Sequence, residues 1–160
     1  MIRIAPLLVL ALAASACVSY NGAGLVPGTA TEAQVRESMG VPAAEFRNGD
    51  GTRELSYPRG PLGTQSFMVD LGSDGRLQRI RQVLNDQVFY GIQPGQTEED
   101  VLRLIGPPGD KMAFSMSGNY AWDYRFVDTW GYTAIFSVTF NREGRVVSKI
   151  SQRIDRDKSP

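Results

Sequence analysis

Residues 92–108 read Ile-Gln-Pro-Gly-Gln-Thr-Glu-Glu-Asp-Val-Leu-Arg-Leu-Ile-Gly-Pro-Pro and predict one short helix with a defined start and end. Thr97 can cap this helix by accepting a hydrogen bond from a free backbone N–H, and the three acidic residues after it suit the positive end of the helix dipole. Gly106 and the two prolines that follow it end the helix. One apolar face results from the i, i+3, i+4 spacing of Val101, Leu104 and Ile105.

The same pattern of residues occurs earlier in the chain. Four matching pairs are separated by one constant interval: Thr31 and Thr97, Val35 and Val101, Gly40 and Gly106, Pro42 and Pro108. Farther on, Tyr57 matches Tyr124 and Gly75 matches Gly144 at slightly longer intervals. Loop insertions between matched elements produce such small drifts in spacing. The sequence therefore predicts a tandem repeat.

Each repeat is predicted to be one or two short helices followed by a three-stranded antiparallel sheet, which makes the protein an α+β fold. A brief helical turn is expected over residues 85–90, and loops are expected over 42–52 and 109–119. Alternating apolar residues and flanking turns place the strands at 53–57, 64–71 and 76–83, and at 120–127, 132–140 and 145–152.

The two repeats are expected to depend on each other for stability. A unit of about 60 residues buries too little surface to be stable alone, and a chain with one Cys cannot add an intrachain disulfide. We therefore expect the two sheets to be continuous or closely abutting, with helices on one face and the other face free for a partner.

Composition disfavours most kinds of chemistry. The 160 residues have a formal net charge of zero, which argues against a general nucleic-acid binder. The chain has no His, the commonest general base and catalytic metal ligand. The serines consequently have no His to activate them, and capping explains the positions of the acidic residues. We predict a non-enzymatic protein with no catalytic residues, no cofactor, no metal site and no small-molecule substrate.

Residues 1–16 have the layout of a secretory signal, with Arg3 before an apolar run that is too short to span a membrane. Cys17, the only cysteine, follows Ala14-Ser15-Ala16 and resembles the lipidated cysteine of a bacterial lipobox, although Leu is more usual where Ala14 stands. A plain signal cleaved after Ala16 is the alternative. With lipidation, residues 17–24 form a short tether. Val18 in place of Asp then resembles the sorting signal for the outer membrane, on its periplasmic face.

The order of these motifs resembles the SmpA/OmlA (BamE-like) family of outer-membrane lipoproteins. The first repeat matches more loosely than the second, where the matching residues are Gly95, Thr97, Val101, Gly106, Pro108, Trp122, Tyr124, Phe140, Gly144 and Val146. That family carries a single copy of the unit. Two tandem copies resemble the β-lactamase inhibitory proteins, which clamp an enzyme with a concave sheet but use disulfides that this chain cannot form.

The duplicated motif predicts two helix-plus-sheet repeats, at residues 25–83 and 84–152, and the charged tail at 153–160 is expected to be flexible. The resemblance implies a protein-binding adaptor whose partner is an envelope protein, such as a subunit of the outer-membrane barrel assembly machinery. Inhibition or regulation of a periplasmic enzyme is the alternative function.

Seven residues are candidates for partner binding, because large aromatic, apolar and Arg side chains dominate protein interfaces. Trp122 and Tyr124 share one strand face and would otherwise pack against the helix. Met112 and Phe114 are in the apolar loop 111–116, which could equally fold back onto the sheet. Arg59 is in the turn 57–61, and most such turns only reverse the chain direction. The candidates are Trp122, Tyr124, Trp130, Tyr132, Phe114, Met112 and Arg59.

Overall fold

A computed structural model describes residues 21–154 of the chain. The predicted signal, Cys17 and most of the tail therefore lie outside the described residues. Within the described range, no helix has both the length and the apolar composition needed to cross a membrane.

The described residues form an α+β fold with two separate antiparallel sheets, each with its strands in chain order. Sheet 1 and its helix comprise α1 (Glu32–Met39), β1 (Ala44–Arg47), β2 (Arg53–Pro58), β3 (Ser66–Leu71) and β4 (Leu77–Gln82). Sheet 2 and its helices comprise α2 (Asp86–Phe89), α3 (Glu98–Ile105), β5 (Asp110–Phe114), β6 (Asn119–Val127), β7 (Thr133–Phe140) and β8 (Val146–Arg153).

Each sheet has four strands, so the predicted three-stranded sheets are wrong. The additional strands β1 and β5 lie where loops were expected. All residues of β5 are exposed, and β1 has no buried residue. These segments therefore lack the buried, alternating pattern that identifies a strand in a sequence. They pair instead with the backbone groups that β2 and β6 would otherwise leave open at the sheet edge.

The two halves repeat the same local structure, consistent with the predicted tandem arrangement. Thr31 caps α1 and Thr97 caps α3, each by accepting a hydrogen bond from the backbone N–H three residues on. Gly40 and Gly106 end these helices with φ/ψ of 86°/−157° and 77°/−172°. Since this backbone region is essentially restricted to glycine, the matched glycines in the sequence reflect one shared conformation.

Sheet 1 is covered by helices on both faces. On one face α1 packs Val35 and Met39 into the core of the first half, together with Leu55, Val69 and Leu71. The opposite face meets α3 from the second half. Met68 is fully buried there and belongs to the core of the second half.

Helix α3 is thus placed between the two sheets. Arg103 extends toward sheet 1, donating to Asn48 Oδ1 at 3.0 Å and lying 4.9 Å from the centre of the Phe46 ring. Val101 and Ile105 pack into the core formed with sheet 2. The expectation of continuous or closely abutting sheets is therefore wrong, and the expectation of helices on one face only is wrong for sheet 1. The layers run α1, sheet 1, α3 and sheet 2.

Sheet 2 has one covered face and one open face. The residues of β6 and β7 that join the core with α2 and α3 all lie on the inner face. They are Trp122, Tyr124, Phe126, Ala134, Phe136, Val138 and Phe140. The residues between them point to the other face, which we call the outer face of sheet 2.

Candidate partner-binding surfaces

Two of the seven candidates are in the core, so their assignment as partner-binding residues is corrected. Trp122 is 2% exposed and Tyr124 is 1% exposed. The Tyr124 hydroxyl donates a hydrogen bond of 3.1 Å to the Gly106 carbonyl at the end of α3. Both side chains lie on the inner face of a central strand, and Lys111 lies 4.6 Å from the centre of the Trp122 ring. The aromatic alternation on β6 therefore indicates packing against the helix.

Trp130 and Tyr132 are exposed, at 78% and 58%, in the hairpin that joins β6 to β7. Asp128 fixes this hairpin, because one of its carboxylate oxygens accepts the backbone N–H groups of both residues at 2.9 Å. Its other oxygen accepts Arg153 Nε at 2.6 Å, and the Arg153 guanidinium lies 4.5 Å from the centre of the Tyr132 ring. The hairpin is therefore held in one shape while the Trp130 side chain remains in solvent.

The hydrogen bonds at Asp128 also control its protonation. Desolvation alone would raise the pKa of this carboxyl, but the Tyr132 N–H, Arg153 and the Trp130 N–H together hold the pKa below its usual value. Asp128 therefore remains an anion, and an acceptor for all three donors, at neutral pH.

A groove begins beside this hairpin and runs along α2. Its larger part has a volume of about 500 Å³ and is lined by Asp86, Phe89, Tyr90, Thr129, Phe136, Lys149, Ile150 and Ser151. A smaller part of about 230 Å³ shares Asp86, Thr129 and Ser151 with it and extends to Trp130. The two parts together form what we call the α2 groove.

Aromatic rings form both the floor and the rim of the α2 groove. Phe89 and Phe136 stack at its floor with ring centres 3.8 Å apart. Tyr90, on the rim, is 77% exposed. Lys149 fixes this part of α2, because its ammonium group donates to the carbonyls of Phe89, at 2.9 Å, and Tyr90, at 3.3 Å.

Sequence reasoning did not identify Tyr90 as a candidate residue. Tyr90 lies at the end of a very short helix, and that position does not indicate whether its side chain is exposed. The groove beside it is formed partly by β8, which is far from Tyr90 in the sequence.

Met112 and Phe114 are exposed on β5, the edge strand of sheet 2. They lie far from Trp130, because β6 separates its two hairpins by eight residue steps of about 3.3 Å, or roughly 26 Å. Arg59 is also exposed, in the connection between β2 and β3. The neighbouring Pro61 packs so closely on Gly109 that an added Cβ there would lie 2.6 Å from the Pro61 carbonyl oxygen. The five exposed candidates thus fall in three separate places.

Comparison with known proteins identifies no family. No protein family and no curated protein matches this sequence. A solved structure described as an osmotically inducible lipoprotein, OsmE, is similar to part of the chain. It has 21% sequence identity and a TM-score of 0.37, covering 41% of this chain and 68% of the other. Similarity at this level supports no conclusion about function.

Proposed function

We propose that this protein is a periplasmic lipoprotein, anchored in the outer membrane through Cys17, that acts as a non-catalytic protein-binding adaptor. Its role would be BamE-like, in the assembly of outer-membrane proteins or the integrity of the envelope. The lipobox-like residues before Cys17 support the anchor. The observation that carries the binding function is the α2 groove, with Tyr90 and Trp130 exposed at its rim.

The physical argument concerns the cost of binding. Trp and Tyr are the residues most often found at interface hot spots, and an exposed indole gains much from being buried by a partner. The hydrogen bonds at Asp128 order the Trp130 hairpin before any partner arrives. Binding therefore loses little conformational entropy in the hairpin, which favours affinity.

The alternative is that the protein inhibits a periplasmic enzyme. The exposed indole of Trp130, at the tip of an ordered hairpin, favours this interpretation because such a hairpin can enter an enzyme cleft. A soluble hydrolase as the bound partner would support the inhibitor function, and a barrel-assembly subunit would support the adaptor function.

Photo-crosslinking in living cells tests the partner surface. A photoreactive phenylalanine analogue is placed at Trp130 or Tyr90 in the full chain and, as a matched control, at Glu37, which is exposed on α1. We expect one discrete adduct from positions 130 and 90 and none from position 37, with the partner identified by mass spectrometry. Absence of any adduct at positions 130 and 90 would contradict the proposed surface.

A fractionation experiment tests the anchor separately. Cys17→Ala removes the thiol that would be acylated, so the variant should move from the membrane fraction to the soluble periplasmic fraction. If the variant stays with the outer membrane, the lipid anchor is wrong, whatever the crosslinking result.

A further inference from the structure

The outer face of sheet 2 lies opposite the α2 groove, and no other element of residues 21–154 takes core residues from it. Its centre carries polar and small side chains, with Ser137 and Thr139 on β7. Apolar side chains lie around them, and the exposed ones are Met112, Phe114, Val127 and Ile150. A partly apolar sheet face of this kind can be covered by another protein surface.

The charges on this face are not balanced within the chain. Asp110 on β5 is directly opposite Asp123 on β6 in the strand register, and like charges in that position repel. Arg125 lies two positions beyond Asp123 on the same face. Among residues 21–154, none of these three side chains forms an ion pair. In addition, Asp123 Oδ1 is buried without a hydrogen-bond donor.

A second copy of the same chain can bring an opposite charge to the half-buried Asp123 carboxylate. Two outer faces can pack together so that their β6 strands run antiparallel. The two-fold axis then lies between the sheets, perpendicular to the strands, and passes between the positions of Asp123 and Arg125. Each Asp123 then faces Arg125 of the second copy, and Asp110 lies beside the same guanidinium. Rotation about an axis parallel to the strands would instead place Asp123 against Asp123. Self-complementary charge of this kind is what an isologous interface requires.

We propose that the protein forms a symmetric dimer through the outer face of sheet 2, with reciprocal Asp123–Arg125 ion pairs at its centre. The dimer leaves the aromatic floor of the α2 groove open, because Phe89 and Phe136 lie on the opposite side of the sheet. Ile150, on the edge strand β8, borders both surfaces. The dimer does not depend on the proposed adaptor function, since both surfaces can be tested separately.

The size of the face indicates which class of interface the dimer would have. Four strands about 4.8 Å apart and roughly seven residue steps of about 3.3 Å give a sheet area of about 400 Å² per copy. The total of about 800–900 Å² is below the usual range of stable interfaces and typical of weak, transient ones. We therefore expect a weak, reversible dimer that dissociates on dilution and weakens further at high salt.

Sedimentation velocity of the full chain carrying Cys17→Ala, from about 5 to 500 µM, tests this proposal. We expect a monomer–dimer equilibrium. Asp123→Arg or Arg125→Asp should each weaken the dimer at least tenfold, because each places like charges across the interface. The double variant D123R/R125D restores opposite charges and should return the dissociation constant to within about threefold of the starting value.

Glu37→Arg is the matched control, since it makes the same change of charge at an exposed position of α1 and should leave the equilibrium unchanged. If the parent chain stays monomeric at the highest concentration, the proposal is wrong, and no variant is needed to show it. A different protein would then be the expected partner of this face. Failure of the charge-swapped chain to dimerise, with its circular dichroism spectrum unchanged, would overturn it as well.

Discussion

Two tyrosines at matching positions of the repeats have different surroundings. Tyr124 is buried with its hydroxyl bonded to the Gly106 carbonyl. Tyr57 is also buried, but its hydroxyl has no hydrogen-bond partner, and burial raises its pKa to about 12. A buried hydroxyl without a partner loses its hydration and gains no hydrogen bond in exchange. Both rings contribute to a core, but only the Tyr124 hydroxyl adds a stabilising hydrogen bond.

Removing the two hydroxyls should separate these cases. Tyr124→Phe leaves the Gly106 carbonyl without its donor, so we expect a loss of about 1–2 kcal/mol in the free energy of unfolding. Tyr57→Phe removes an unpaired polar atom and should change stability by less than about 0.5 kcal/mol or raise it. Equilibrium urea unfolding measures both, and equal losses in the two variants would contradict this account.

A second matched pair shows how the repeats diverged while the geometry stayed the same. Glu32 at the start of α1 forms an ion pair with Arg53 on β2. At the matching positions in the second half, Glu98 accepts a hydrogen bond of 2.8 Å from the Tyr120 hydroxyl. In each half the start of the helix is thus bonded to the equivalent strand, β2 or β6, through an ion pair in the first half and a hydrogen bond in the second.

At the scale of elements, α3 has a role that α1 lacks, because it packs between two sheets. Small residues permit the close approach of α3 to sheet 1. A Cβ added at Gly106 would lie 2.3 Å from Ser56 Oγ and 3.3 Å from Ser66 Oγ, and both serines are buried. Gly40, the matching residue of α1, has no atom within 4 Å of an added Cβ. The two glycines therefore share a backbone conformation but not an environment.

Alanine at these two glycines should reveal the difference. Both substitutions strain the backbone, by roughly 1–3 kcal/mol. Gly106→Ala adds an overlap with Ser56 and should cost about 1–3 kcal/mol more than Gly40→Ala. The measurement is the midpoint and slope of urea unfolding for each variant.

A compensating variant serves as the control for this prediction. Ser56→Gly removes the overlapping atom, so the additional cost of Gly106→Ala should largely disappear in that background. If Gly106→Ala costs no more than Gly40→Ala in the parent chain, then α3 and sheet 1 are not in tight contact.

At the scale of the whole molecule, the layer order makes the two halves one cooperative unit. Met68 is a residue of β3 in sheet 1, but its side chain packs in the core of the second half. The close contact of Pro61 with Gly109 adds a second link between the halves. Neither half can therefore unfold alone without exposing apolar surface of the other.

Met68→Ala tests this coupling. Loss of a fully buried side chain should lower the free energy of unfolding by about 2–4 kcal/mol. Hydrogen exchange of the slowest amides in β7 should accelerate together with those in β3, and a single unfolding transition should remain. Val41→Ala, at a position that is 91% exposed, should change stability by less than about 0.5 kcal/mol. Acceleration confined to the first half would show that the halves unfold independently.

The sequence by itself determined the elements whose signals are local. The helix caps at Thr31 and Thr97, the helix ends at Gly40 and Gly106, the hairpin turns and the alternating strands follow from backbone conformation and side-chain period, which neighbouring residues encode. The exposure of Trp130 also follows from its place in a turn, where a large side chain has little core to enter.

Tertiary structure alone decided the rest. The edge strands β1 and β5 form because a neighbouring strand offers unpaired backbone groups, and their own side chains carry no sign of it. The burial of Trp122, the α2 groove beside Tyr90 and the position of α3 between the sheets depend on residues far apart in the chain. Each element buries its apolar face against whichever other elements are present in the folded chain. Because those elements are distant in the sequence, no local sequence pattern predicts these contacts.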